Sequence, residues 1–322
     1  MRFGRFIRAV FAVATGLGCL TTLADTYPSK LVRVVIPFPA GGPTDTVGRL
    51  LAQKLAEQTG QTFLIDNAPG ANGAIGADKV VKSAPDGYTL LFNASTFTTS
   101  PMVSKLVRYN VQKGFTPIAL VAKGPLAVSV ANGLPIKNIG DLIAYAKKAP
   151  DKLTFAVGSI ASAGHLATEM LAKAGGFRYT VVPYKGSAPA YQDLLGGQIS
   201  GFVDPLLGAL PHHKANRVNT LAVTSLQRVP SLPNMPTVAE TIPGFEFYSW
   251  YGLWGPANLP KEIAAKLNDE VNRALTKGSL RDRLLQEGYL LSPGTAEDFA
   301  RFQREDMERS AKIIADGKIH AE

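Results

Sequence analysis

The stretch Pro37-Phe38-Pro39-Ala40-Gly41-Gly42-Pro43-Thr44-Asp45 sets the terms on which the rest of this chain is read. It follows a β-branched run, Leu31 to Pro37, and precedes a segment with Val47, Leu50, Leu51 and Leu55 on one helical face. A glycine pair between a strand and a helix is where α/β proteins bring ligands against the backbone. Gly41 and Gly42 have no side chains, so a ligand can approach the amide N–H groups, and the helix dipole behind them favours negative charge. A carboxylate can be held there without an arginine or a lysine. The same residues also read as a tight turn bracketed by prolines. Asp45 constrains the first reading, because a second carboxylate beside a bound one repels it. It is expected to turn into the helix start as a cap; if Thr44 caps instead, Asp45 needs another partner.

Working outward, short apolar runs alternate with helical patterns, which predicts an α/β fold with largely parallel sheets. Strands are expected at Leu31–Pro37, Thr62–Asp66 and Tyr88–Phe92, with a helix over Gly76–Lys82. Pro117 to Val130 holds two apolar runs broken by Lys123-Gly124-Pro125, a plausible crossing between lobes. A second set follows: helices at Ile139–Lys147, Leu166–Ala174 and Ala188–Leu195, and strands at Leu153–Val157, Tyr179–Val182, Ile199–Val203 and Thr220–Thr224. Arg228 to Pro243 is punctuated by prolines, as a linker is, and Phe245 to Trp254 is an aromatic extended run. Ile263, Leu267, Val271 and Leu275 mark an amphipathic helix, and Thr295-Ala296-Glu297-Asp298 starts the last one. The late strand and terminal helices have no sheet of their own, so the chain is expected to return to its first lobe. That leaves lobe 1 at 25–124 and 246–322, lobe 2 at 125–245, and a cleft between them.

The chain has 322 residues, a formal net charge of +9 and one cysteine. Arg2, Arg5 and Arg8 precede an apolar run from Ala9 to Gly18 that is too short to span a bilayer. Thr22-Leu23-Ala24 closes it with small residues, so residues 1–24 read as a signal peptide and the mature protein as periplasmic. Cys19 lies inside that segment. A lipoprotein box ending at Cys19 is the lesser reading, because Gly16 stands where such boxes place a large aliphatic residue. The mature chain then has no cysteine, which excludes thiol catalysis, iron–sulfur clusters and cysteine zinc sites. The positive charge is spread out, with no basic run and no basic–aromatic alternation, so nucleic acid is not the expected partner.

Other strand ends carry polar groups. Asn93 to Ser100 reads as a loop whose hydroxyls, on Ser95, Thr96, Thr98 and Thr99, could meet a carboxylate or belong to an ordinary Ser/Thr loop. Gly158-Ser159-Ile160-Ala161-Ser162-Ala163-Gly164-His165 opens another helix after a strand, and Pro183-Tyr184-Lys185-Gly186 and Asp204-Pro205 also follow strands. Catalytic and cofactor patterns fail in turn. A nucleophile elbow around Ser162 needs glycine where Ile160 stands, and a Ser162–His165–Asp204 triad is less natural than capping and packing. The phosphate-loop signature is absent, and Gly70, Gly73 and Gly76 lack the tight pair of a dinucleotide fingerprint. His212-His213 has no companion ligands, so no metal and no cofactor are expected. Trp250 and Trp254 read as core packing at the lobe junction, with lining of the cleft as the alternative.

Several long motifs, in order, resemble the Bug (Bordetella uptake gene) family, the substrate-binding proteins of tripartite tricarboxylate transporters. They are PFPAGGPTD at 37–45, GANGAIGADKVVKSAPDGYTLLF at 70–92, PYKGSAPAYQDLLGGQISGFVD at 183–204 and LPNMPTVAETIPGFEFYSWYGLWGPANLP at 232–260. The resemblance implies two α/β lobes of the type II periplasmic-binding-protein fold, joined by two crossing strands around an interdomain ligand cleft. It implies a non-enzymatic receptor that closes on a small carboxylate and meets membrane permease subunits, as a monomer. The motif positions that carry over are Phe38, Ala40, Gly41, Gly42, Thr44 and Asp45, with Ser95 and Thr96 from a later loop. The second lobe contributes Ser159, Ser162, His165, Tyr184, Gly186 and Asp204. Ala161 and Ala163 leave the stretch before the histidine poorer in hydroxyls than is usual in the family. A periplasmic sensor subunit is the alternative with the same site. Phe38 and Phe97 suit an apolar or ring-bearing ligand body, and valine at Gly41 or Gly42 is expected to block carboxylate approach while leaving the fold intact.

Overall fold

The structure, a computed structural model, describes residues 27–149 and 152–321. The signal segment and Cys19 therefore lie outside the described residues. β1 (Val32–Ile36) sends Val34 and Ile36 into one core and Val35 into the opposite one. Apart from the exposed Arg33 it is buried on both faces, so its last three residues form an apolar run rather than an alternation. α1 (Pro43–Thr59) starts with Pro43 in its first turn, where a missing N–H does no harm, and stops at Gly60 in the left-handed conformation. Val47, Leu51 and Leu55 face the sheet.

β2 (Phe63–Asn67), a one-turn 3-10 helix at Ala71–Gly73, α2 (Ala74–Val81) and β3 (Thr89–Ala94) follow. The stretch read as a Ser/Thr loop is instead α3 (Thr96–Val103), with Pro101 inside it. α4 (Val111–Gly114) leads into β4 (Phe115–Val130), one unbroken strand where two runs were expected. The next elements are α5 (Ile139–Lys148), β5 (Thr154–Val157), α6 (Ala163–Gly175), β6 (Thr180–Pro183), α7 (Ser187–Leu195), β7 (Gly201–Pro205), α8 (Leu206–Lys214) and β8 (Asn219–Val223). The chain closes with β9 (Tyr248–Pro256), α9 (Lys261–Thr276), α10 (Ser279–Gln286) and α11 (Ala296–Asp316). Thr295 and Asp298 form the capping box of α11 that the sequence predicts. α8 and α10 have no counterpart in the sequence reading.

The strands follow the order β2-β1-β3-β9-β4-β7-β5-β6, with β8 also on β4. Phe115 to Pro125 of β4 pairs with β9, whereas Leu126 to Val130 pairs with β7 and β8. One strand thus belongs to two sheets and changes sheet after Pro125. The return runs from Thr224, which accepts from the Phe247 amide, into β9. Each sheet is covered on both faces, giving separate cores around Val34, Phe92 and Leu267, and around Val128, Phe155 and Leu171. Trp250 and Trp254 lie in the core between the first sheet and α11, their indole N–H groups donating to Asp306 and Gln303 at 2.8 Å. The end of α11 crosses over, placing Ile314 and Ile319 in the second core.

Candidate functional site

The carboxyl ends of strands from both sheets converge on a cavity of about 90 Å³. This is the place where open α/β sheets bind ligands. Phe38, Ala40, Gly42 and Thr44 come from the turn between β1 and α1, and Thr96 from the start of α3. Ser159, Ser162 and Gly164 come from the turn into α6, Lys185, Gly186 and Ser187 from the turn into α7, and Asp204 from the end of β7. Ser249 and Tyr251 of β9 complete the wall. Among the described residues, four helices (α1, α3, α6 and α7) present their first turns to this space, and Pro205, the N-cap of α8, also lines it. The first amides of a helix have no partner within it, and the aligned peptide dipoles leave partial positive charge there. The wall is therefore electropositive with a single lysine, Lys185, and no arginine.

The first turn differs from the expectation in one respect. Gly42, not Asp45 or Thr44, is the N-cap of α1. Asp45 reaches back from the first helical turn and accepts from the Gly41 amide at 2.9 Å, from Arg49 Nε at 2.8 Å and from Asn67 Nδ2 at 2.9 Å. The Gly41 N–H is thus used inside the protein, which leaves Gly42, Thr44 and Asp45 itself to supply amides at this end. Burial pushes the Asp45 carboxyl up, but the hydrogen bonds from Arg49, Gly41 and Asn67 outweigh it and the net shift is downward. A depressed carboxyl stabilises the fold above its unfolded pKa of about 3.9 and loses that contribution as pH falls through the lower folded value. Asp45→Ala should therefore lower stability at pH 7 by about 2 kcal/mol. The deficit should shrink in urea titrations carried into strong acid; a deficit equal at both pH values would disprove the assignment.

Five of the expected contact residues do not line the cavity: Gly41, Asp45, Ser95, His165 and Tyr184. Ser95 is buried at the start of α3, and its Oγ has no hydrogen-bond partner among the described residues. Tyr184 donates to Asp193 at 2.6 Å. Burial drives His165 down to about 4, so its ring is neutral. Its Nδ1 accepts the Ala161 amide at 3.2 Å, which places the remaining proton on Nε2, facing Glu169. Ser162 caps α6, accepting the His165 amide at 3.4 Å. The three residues of the conceivable hydrolytic triad are consequently not joined: the His165 ring serves Ala161, and Asp204 accepts from Ser187 at 2.8 Å. Phe97, suggested for a ligand body, is packed among Tyr109, Phe115 and Trp254. Thr98 is likewise internal, donating to Ser95 O.

Sequence reasoning missed the groups that bridge the two halves. Asn72, held at φ 54°, donates to Ser100 Oγ at 2.8 Å and to Ile160 O at 3.2 Å, and accepts from Ser159 Oγ. Thr99 Oγ1 donates to Ala161 O at 2.7 Å. Asparagine tolerates the left-handed region that this turn imposes, and Asn72 between Gly70-Ala71 and Gly73 was the available signal. Ser187, Ser249 and Tyr251 had none, since a strand aromatic reads as core.

The profile of the Tripartite tricarboxylate transporter family receptor matches residues 47–319. Three solved structures are similar over their whole length. Rpa4515 of R. palustris with adipate has 35% identity and a TM-score of 0.88, covering 91% of this chain and 99% of its own. The periplasmic binding protein BugD has 35% identity and a TM-score of 0.85, covering 92% and 100%. MatC of Rhodopseudomonas palustris with bound malate has 32% identity and a TM-score of 0.82, covering 89% and 100%.

Proposed function

Since this chain belongs to the tripartite tricarboxylate transporter receptor family, in its Bug group, we propose that it captures a small carboxylate between its two lobes and hands it to membrane permease subunits. The observation that carries this reading is the ring of helix first turns around a cavity with one lysine on its wall. Such a space stabilises a carboxylate through amides and dipoles, and it has too few cations for a polyphosphate. At about 10–15 Å³ for each water-sized site, it holds about six to nine non-hydrogen atoms. That is the scale of a four- or five-carbon dicarboxylate, in keeping with the malate of one neighbour and just below the adipate of another. The receptor works as a single chain in the periplasm, and no helix among the described residues is long and apolar enough to cross a membrane.

Its hinge is proposed at the change of sheet near Pro125 and at the return strand near Phe245, which sets lobe 1 as 25–124 with 246–322 and lobe 2 as 125–245. Ligand contacts to both lobes favour the closed state, and Asn72 and Thr99 add three hydrogen bonds across the cleft, with Ile160 O, Ser159 Oγ and Ala161 O, which opening would break. Isothermal calorimetry against four- to six-carbon mono-, di- and tricarboxylates tests the reading. Binding heat from at least one acid is expected; no heat from any, with the protein folded, would overturn it.

A further inference from the structure

One carboxyl group shares the anion-friendly cavity. Asp204, at the end of β7, is 4% exposed and lies on the cavity wall. Its Oδ1 accepts from Ser187 Oγ, whereas its Oδ2 is buried with no hydrogen-bond partner among the described residues. The groups facing it are almost all uncharged: Tyr191 from α7, Tyr251 from β9, and Tyr289 from the chain after α10. α6 contributes the neutral His165, and His212 of α8 stacks on Tyr191 instead of reaching the carboxyl. From α1 only Pro43 comes near, close to Gly208 of α8 on the Oδ2 side. Lys185, in the turn before α7, is the one cation on the wall. An ionised Asp204 and a dicarboxylate in so small and dry a space repel each other strongly. A proton on this carboxyl removes that repulsion.

Resting on the carboxylate-receptor reading, we propose that Asp204 is protonated when a dicarboxylate fills the cavity, so that capture takes up one proton from solvent. The near carboxylate lies on the first turns of the helices, and the far one shares the cavity with a neutral acid. Burial already pushes the Asp204 carboxyl up to about 7, against the opposing hydrogen bond from Ser187 and the nearby Tyr191 hydroxyl. A bound anion raises it further. The sign follows: below the free value both states hold the proton and affinity is flat, and above it only the complex does. Affinity should then fall by up to about tenfold for each pH unit between about pH 7 and 9.

The experiment is calorimetry with succinate, malate and adipate at about pH 6, 7, 8 and 9, in pairs of buffers with different ionisation heats. These acids are themselves fully ionised above about pH 7 and add no titration of their own there. The expected result is proton uptake near zero at the acid end, rising toward one per ligand at the alkaline end, with falling affinity. Asp204→Asn, checked for folding by thermal melting, should lose both the uptake and the pH slope. Ser187→Ala, which removes a bond that favours the charged form, should move the fall in affinity to higher pH. An acid that binds the parent protein with no proton uptake and a flat profile overturns the proposal, as does a slope that survives in Asp204→Asn. Absence of heat from every acid would instead sink the receptor reading beneath it. If Asp204→Asn does not fold, the proton count on the parent protein still decides.

Discussion

Gly164→Ala should lower the stability of this protein by about 3 kcal/mol or more, although glycine to alanine inside a helix ordinarily raises it by about 1 kcal/mol. The reason is a backbone contact. A Cβ at Gly164 would stand 2.0 Å from Val203 O, and the nearest further atom is also backbone, Val203 C at 3.1 Å. No side chain can rotate to make room. Val203 is fixed in β7 by its pairing with Val128 of β4, so the strand cannot retreat without breaking the β4–β7 ladder of the second sheet. α6 would have to lift instead, and its first turn is part of the cavity wall. Denaturant titration of the variant reads the effect directly. A midpoint equal to that of the parent protein would show that the close approach of α6 to β7 is not the constraint described here.

The second large effect is on binding. Gly42→Val should reduce carboxylate affinity about a hundredfold, about 2.7 kcal/mol, while leaving the melting temperature within a few degrees of the parent. Gly42 is in the extended region at φ −78°, which valine adopts freely, and an added Cβ meets only Pro39 O at 3.7 Å. The fold therefore tolerates the side chain. The cavity does not, because Gly42 is on its wall and its amide is among the unpaired ones at the start of α1. Gly41→Val, its apparent equivalent in sequence, should behave in the opposite way. Gly41 is at φ 84°, where valine is strained, and its amide already belongs to Asp45. That variant should lose stability first. Measuring melting and calorimetric affinity on both separates them; equal affinity losses with equal stability losses would refute the division of labour within the glycine pair.

The contrast between these two glycines marks where sequence reading stops. Strand and helix positions followed from apolar periodicity, because burial on both faces of a sheet or one face of a helix leaves a repeat in the chain. The capping pattern at Thr295 to Asp298 was legible for the same local reason. α3 and α8 were not. Each carries an internal proline, and α3 is rich in Ser and Thr, so local propensity argues for a loop and tertiary packing decides otherwise. Trp250 and Trp254 went to the core as expected, and so did Phe97, which had been offered to the ligand.

By itself, then, the sequence determined the α/β class, the crossing near Lys123-Gly124-Pro125 and the turns at strand ends from which a site could be built. These depend on neighbours a few residues apart. Only the tertiary structure decided which groups in those turns remain free to act. Asp45 takes the Gly41 amide, His165 turns to Ala161, Tyr184 is held by Asp193, and Asp204 keeps one oxygen without a partner among the described residues. Each outcome depends on competition for hydrogen bonds inside a dry interior. Gly41 is settled within a single turn. The free oxygen of Asp204 depends on strands and helices brought together from across the chain, and spacing along the sequence does not record that.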